Sequence, residues 1–83
     1  MQNQSNTVKD FIQANPNLAW IYSLASDPIV EAQEVEAYIK GAATSFNDAE
    51  LSIMLRVMSI IDSNPDKSIQ YCIGFAVYKY LSK

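Results

Sequence analysis

The pattern of apolar and polar positions is helical from end to end. Apolar residues recur at three- and four-residue spacing, and no segment alternates with period two for long enough to argue a strand. Two segments go further: 51–61 (LSIMLRVMSII) and 69–81 (IQYCIGFAVYKYL) are apolar nearly all the way round. A helix lying on a small core needs a single apolar stripe. These two carry more apolar surface than an 83-residue chain easily hides within itself. The surplus predicts a partner, either a second copy or another protein.

Asx residues beside prolines mark the helix boundaries. Asn15-Pro16-Asn17, Asp27-Pro28 and Asn64-Pro65 each offer an N-cap followed by proline at the first helical position. The residue before proline is pushed out of the helical region, so each pair also ends what precedes it. A first helix is predicted over 7–14, capped by Ser5 or Asn6, with Val8, Phe11 and Ile12 on one face. A second, over 18–25 and capped by Asn17, carries Leu18, Ile21 and Leu24 as a stripe, while Trp20 and Tyr22 point elsewhere. The third runs from Asp27-Pro28 to a C′ glycine at Gly41. Its Ile29, Ala32, Val35 and Ile39 share a face, Glu31, Gln33 and Glu34 lie away from it, and Glu36 pairs with Lys40.

Asn47 caps the fourth helix, with Glu50 as reciprocal partner in a capping box and Phe46 and Leu51 placed for a hydrophobic staple. This helix continues to about Asp62 with a narrow polar strip of Ser52, Arg56, Ser59 and Ser63. Asn64-Pro65 starts the last helix, with Asp66 in its first turn, Lys79 and Lys83 near its end, and a polar line of Lys67, Gln70 and Gly74. A mid-helix glycine costs about 1 kcal/mol against alanine. Close approach of a neighbouring helix accounts for Gly74 better than admission of a ligand. The fold predicted is all-α: a compact bundle of four to five short helices, the last two an antiparallel hairpin, in a single domain over 1–83 with a flexible tail at 1–5.

Composition agrees. A hydrophobic share of 49%, a charged share of 18%, two glycines and three prolines belong to a folded chain with few tight turns. A lone cysteine, Cys72, staples nothing within the chain and points to a reducing compartment. Residues 1–10 lack an apolar stretch behind a basic start. The uncharged runs 11–26 and 68–78 are respectively broken by Asn15-Pro16-Asn17 and short of the ~20 residues that span a bilayer. The expectation is a soluble cytoplasmic protein without membrane contact.

The net charge of −3 is unevenly spread. Residues 27–50 set Asp27, Glu31, Glu34, Glu36, Asp48 and Glu50 against Lys40, whereas residues 51–83 carry a net +2. An acidic middle lacks the clustered cations that displace counterions from nucleic acid. Neither the third nor the fourth helix offers a set of Arg, Lys, Asn or Gln for reading base edges. No nucleic-acid partner is expected. The acidic face is either solvated or docks on a basic patch of a protein partner through residues such as Glu31 and Glu34.

The chain has no histidine, so the commonest general base and metal ligand is missing. Cys72 has nothing to activate it and sits on an apolar face beside Ile69, Ile73 and Ala76, as a buried inert thiol does. Glu31 and Glu34 stand one turn apart with nothing to complete a metal shell. No phosphate loop or nucleophile motif is present. No catalytic residue, cofactor or metal is expected, and the chain is not read as an enzyme.

What remains is surface. Tyr71, Phe75 and Tyr78 form a stripe on the last helix distinct from its aliphatic face of Ile69, Cys72, Ile73, Ala76 and Tyr80. Both stripes are core if this helix lies in the middle of the bundle. Otherwise the aromatic one meets another chain, with Trp20 and Tyr22, or lines a small-molecule pocket. The functional expectation is a non-enzymatic helical interaction protein: an adaptor, inhibitor or regulator, of the kind phages and mobile elements encode, acting by protein–protein contact and self-associating as a homodimer. The alternative is a small-molecule-binding bundle with an aromatic-lined pocket.

Overall fold

The computed structural model describes residues 4–82. They form α1 (Gln4–Ala14), α2 (Pro16–Ala25), α3 (Ala32–Ala42), a 3₁₀ turn (Ala43–Ser45), α4 (Asp48–Ser63) and α5 (Ile69–Leu81). This is the all-α bundle predicted. Gln4 and Ser5, assigned to the expected tail, are helical, and the rest of that tail, 1–3, lies outside the described residues.

The helices pack because each buries one stripe in a shared core. Leu18 and Ile21 of α2, Val35 and Ile39 of α3, Ile53, Met54 and Val57 of α4, and Ile73, Ala76 and Val77 of α5 have almost no exposed surface. The most extensive contact is between α4 and α5, joined by the short link 64–68, and gives the helical hairpin expected. Next come the contacts of α1 with α2 and with α5. The rings of Phe11 and Tyr80 meet at 5.8 Å across the α1–α5 seam.

The start of α4 is as predicted. Asn47 Oδ1 accepts from the Glu50 backbone N–H at 2.7 Å, and Glu50 Oε1 accepts from the Asn47 N–H at 2.9 Å. Phe46 packs on the core, but Leu51, its expected staple partner, is exposed. The other starts differ. Ser5 and Asn6 lie inside α1 rather than capping it. Asn15, not Asn17, is the N-cap residue of α2, and its amide instead donates back to the Phe11 carbonyl at 2.9 Å, closing α1.

Asp27-Pro28 and Asn64-Pro65 make turns. Asp27 Oδ1 accepts from the Ile29 N–H at 3.0 Å and the Asp27 carbonyl from the Val30 N–H at 3.1 Å. Asx side chains satisfy nearby backbone in this way as readily as they cap helices. α3 therefore begins only after Glu31, whose N–H donates to Glu34 Oε1 at 3.1 Å, and Ile29 is left 81% exposed, off the apolar face assigned to it. The Lys67 N–H closes the second turn on the Asn64 carbonyl at 3.0 Å, and α5 starts after Ser68, whose Oγ accepts from the Tyr71 N–H at 3.0 Å. Asp66 thus precedes the helix. Gly41 lies within α3, which runs on into the 3₁₀ turn, and no described glycine has positive φ. No C′ glycine is needed.

Glu36 makes no ion pair with Lys40. Partial burial, then hydrogen bonding to and repulsion from the Asp62 carboxyl on α4, raise its pKa, and Lys40 only partly offsets this. A raised folded-state pKa gives stability that is present below the unfolded value and lost as pH rises through the folded one. Glu36→Gln should therefore raise the melting temperature at pH 7, with the gain vanishing below about pH 4. Thermal unfolding across that range checks it; a destabilised variant at neutral pH would contradict the placement of the two carboxyls.

One buried carboxylate joins distant parts of the chain. Glu50 is 1% exposed. Its Oε2 accepts from the Asn17 N–H at 3.0 Å, and its Oε1 from the Asn17 side-chain amide at 3.0 Å as well as from Asn47. The Asn17 amide also donates to the Ser45 carbonyl at 3.1 Å, and that of Asn47 to Asn15 Oδ1 at 3.2 Å. The first turns of α2 and α4 thus converge on one negative charge, where helix dipoles favour it. This fixes the orientation of α2, one wall of the groove described next.

Candidate functional site: an aromatic groove

α5 has two working faces. Cys72, Ile73, Ala76 and Val77 enter the core. Tyr71, Phe75 and Tyr78, offset around the helix, border a groove of about 870 Å³ between α1, α2 and α5. α1 contributes Val8, Lys9, Ile12 and Gln13, and α2 contributes Ala19, Tyr22 and Ser23. Tyr71 is 50% exposed and Phe75 40%, and their rings stack with centroids 6.1 Å apart at 11°. The aromatic stripe is not core.

Gly74 lies in the groove wall beside these rings. A Cβ built there meets nothing within 4 Å, so the close helix approach expected from the sequence is absent and the residue opens the groove instead. Gly74→Ala should therefore stabilise the fold by about 0.5–1 kcal/mol, because helix propensity improves without a clash. Urea denaturation measures this, and a loss of stability would show a neighbour against the glycine. Gln70 spans to α2, its Nε2 donating to the Tyr22 carbonyl at 3.2 Å.

The electrostatics of the groove are one-sided. Lys67 Nζ sits 5.4 Å from the Tyr71 ring centroid and Lys79 Nζ 5.9 Å from that of Phe75, both within cation–π range. Lys9 stands on the α1 wall. No carboxylate of the described residues lines the groove.

Of the residues singled out by sequence, Tyr22, Tyr71, Phe75 and Tyr78 come together here. Trp20 does not: it packs edge-on against Tyr38 of α3 at 5.6 Å and 89°, away from the groove. Glu31 and Glu34 also lie elsewhere, at the start of α3, where the Glu34 carboxylate serves the helix N-terminus. Cys72 is buried, and burial, with the nearby Asp66 charge, pushes its thiol pKa up. Among the described residues no group of His, Cys, Asp or Glu is placed to hold a metal ion, and no helix is long and apolar enough to cross a membrane.

The contribution of α1 to the groove was not expected from the sequence. Its signal was available: Val8 and Ile12, Lys9 and Gln13 repeat at four-residue spacing, as do Gln70 and Gly74 beside the aromatic stripe. Against known proteins the chain matches no family model, no curated protein and no solved structure. The functional reading rests on the geometry of the groove.

Proposed function

We propose that the chain is a non-enzymatic interaction protein that takes a partner into the groove between α1, α2 and α5. The stacked, half-exposed pair of Tyr71 and Phe75 carries this reading. Aromatic rings left in water on a helix whose other face is fully buried resemble the anchors on which binding energy concentrates. Tyr22 and Tyr78, both partly buried, extend the apolar wall.

The test compares the chain with Phe75→Glu. A purified partner, or a second copy, should form a defined complex with the unaltered chain in sedimentation velocity. The complex should be lost in Phe75→Glu while helical circular dichroism is unchanged. Equal binding by both forms would remove the groove from the contact.

A second reading, a small-molecule-binding bundle, is favoured by the volume: about 870 Å³ falls in the range of ligand sites, and the lining is mostly apolar with a few polar groups. A thermal-shift screen against metabolites and nucleotides, run beside light scattering, separates the two. A monomer stabilised by one compound selects the ligand reading. Indifference to every compound, with an assembled species present, selects protein contact.

A further inference from the structure

We infer that the occupant of the groove is an amphipathic helix of a partner protein whose apolar stripe is bordered by carboxylates. This rests on the proposal that the groove is a docking surface. Charge complementarity selects this occupant. Lys9, Lys67 and Lys79 are three of the six cationic side chains in a chain of net charge −3. All three stand at this groove or over its rings. None of them is in an ion pair among the described residues, and no carboxylate among those residues enters the lining. Lys67 also borders a second cavity with Glu36 and Asp62, but an apolar strip flanked by cations that make no ion pair among the described residues is still the complement of an apolar strip with acids on its borders.

The dimensions suit a helix. From Lys67 to Lys79 the chain advances roughly 15–18 Å at helical rise, about three turns of a docked helix. Such a helix would lay anchors at i, i+4 and i+7 along the rings. The missing side chain at Gly74 lets a partner backbone come close. A second copy fits this face poorly. In a two-fold contact each patch meets itself, so Lys67 and Lys79 would confront the same lysines.

The probes are two synthetic peptides of roughly four helical turns with the same Leu/Phe stripe, one flanked by Glu and the other by Lys. Dodecanoate below its micelle concentration is the third. Each is titrated into the full ¹⁵N-labelled chain. The Glu peptide should shift the amides of Val8, Lys9, Gly74 and Phe75 and bind about tenfold more tightly than the Lys peptide, a gap that narrows with salt. Lys67→Glu with Lys79→Glu, both exposed positions, should reverse the preference without changing circular dichroism.

Equal binding of both peptides would overturn the acidic partner and leave the docking surface standing. Shifts from dodecanoate alone would overturn both in favour of a small amphiphile. If neither peptide bound but the groove amides shifted with protein concentration, and Phe75→Glu abolished that shift, the occupant would be a second copy and the acidic helix would fall. Silence of the groove to all probes and to concentration would overturn both proposals.

Discussion

Replacing Glu50 by alanine is expected to lower the unfolding free energy by about 3 kcal/mol. The carboxylate is 1% exposed and accepts from the Asn17 backbone, the Asn17 amide and the Asn47 backbone, all within 3.0 Å. Truncation removes the acceptor of three part-buried hydrogen bonds and empties a buried site, and a donor left short of its partner costs more than a hydrogen bond contributes. Asn17 and Asn47 open different helices, so hydrogen exchange should quicken at the starts of α2 and α4 together. An isolated capping box would loosen α4 alone.

The same residue sets an acid limit. Burial acts to raise the Glu50 pKa, but hydrogen bonds from the Asn17 side chain, the Asn47 backbone and the Asn17 backbone outweigh it and hold the pKa below the ordinary 4.5. A depressed folded-state pKa contributes stability that is present above the unfolded value and is lost as pH falls through the folded one. Chemical denaturation of the unaltered chain should show stability dropping below pH 4.5, and Glu50→Gln should flatten that part of the profile. An unchanged profile would place the acid sensitivity elsewhere.

Glu50 also shows how far the sequence could be read. Its role in the capping box was legible because the motif is local: Asn47 and Glu50 lie within one turn. Its tie to Asn17 crosses 33 positions and exists only because the bundle brings two helix starts together. The Asx-Pro pairs mark a related boundary. All three correctly ended what preceded them, because the steric restriction before proline is intrinsic to the chain. Whether the next residues continued as helix or turned depended on local hydrogen bonds of similar strength, and Asp27 and Asn64 chose the turn.

The groove was half legible for the same reason. Periodicity separated the Tyr71–Phe75–Tyr78 stripe from the aliphatic face of α5, and the two faces do have different fates. Periodicity could not choose the opposite wall. α1 and α2 supply it because Glu50 and the Phe11–Tyr80 contact set their angles to the rest. Nor could it distinguish a glycine pressed by a neighbour from one facing open space, since both leave the same letter in the sequence. Trp20 lies apart from the groove because its partner, Tyr38, is on another helix at a distance no local pattern encodes.

The two faces of α5 should respond oppositely to the same kind of truncation. Ile73 is fully buried, and Ile73→Ala is expected to cost about 3–4 kcal/mol through lost burial and the cavity left behind. For a domain of this size the total stability is of order 4–12 kcal/mol, so this one truncation should remove at least about a quarter of it. Phe75, two positions along the helix, is 40% exposed. Phe75→Ala should cost under about 1 kcal/mol, since it leaves no sealed cavity and alanine is the better helix former. On the proposal that the groove docks a partner helix, its effect should fall on binding instead: removal of one of the two stacked rings should abolish capture of the Glu-flanked peptide at concentrations where the unaltered chain is saturated. Urea denaturation and a binding isotherm on the same pair of variants check both halves. A large stability loss at Phe75 would return the aromatic stripe to the core and leave the groove without its anchor.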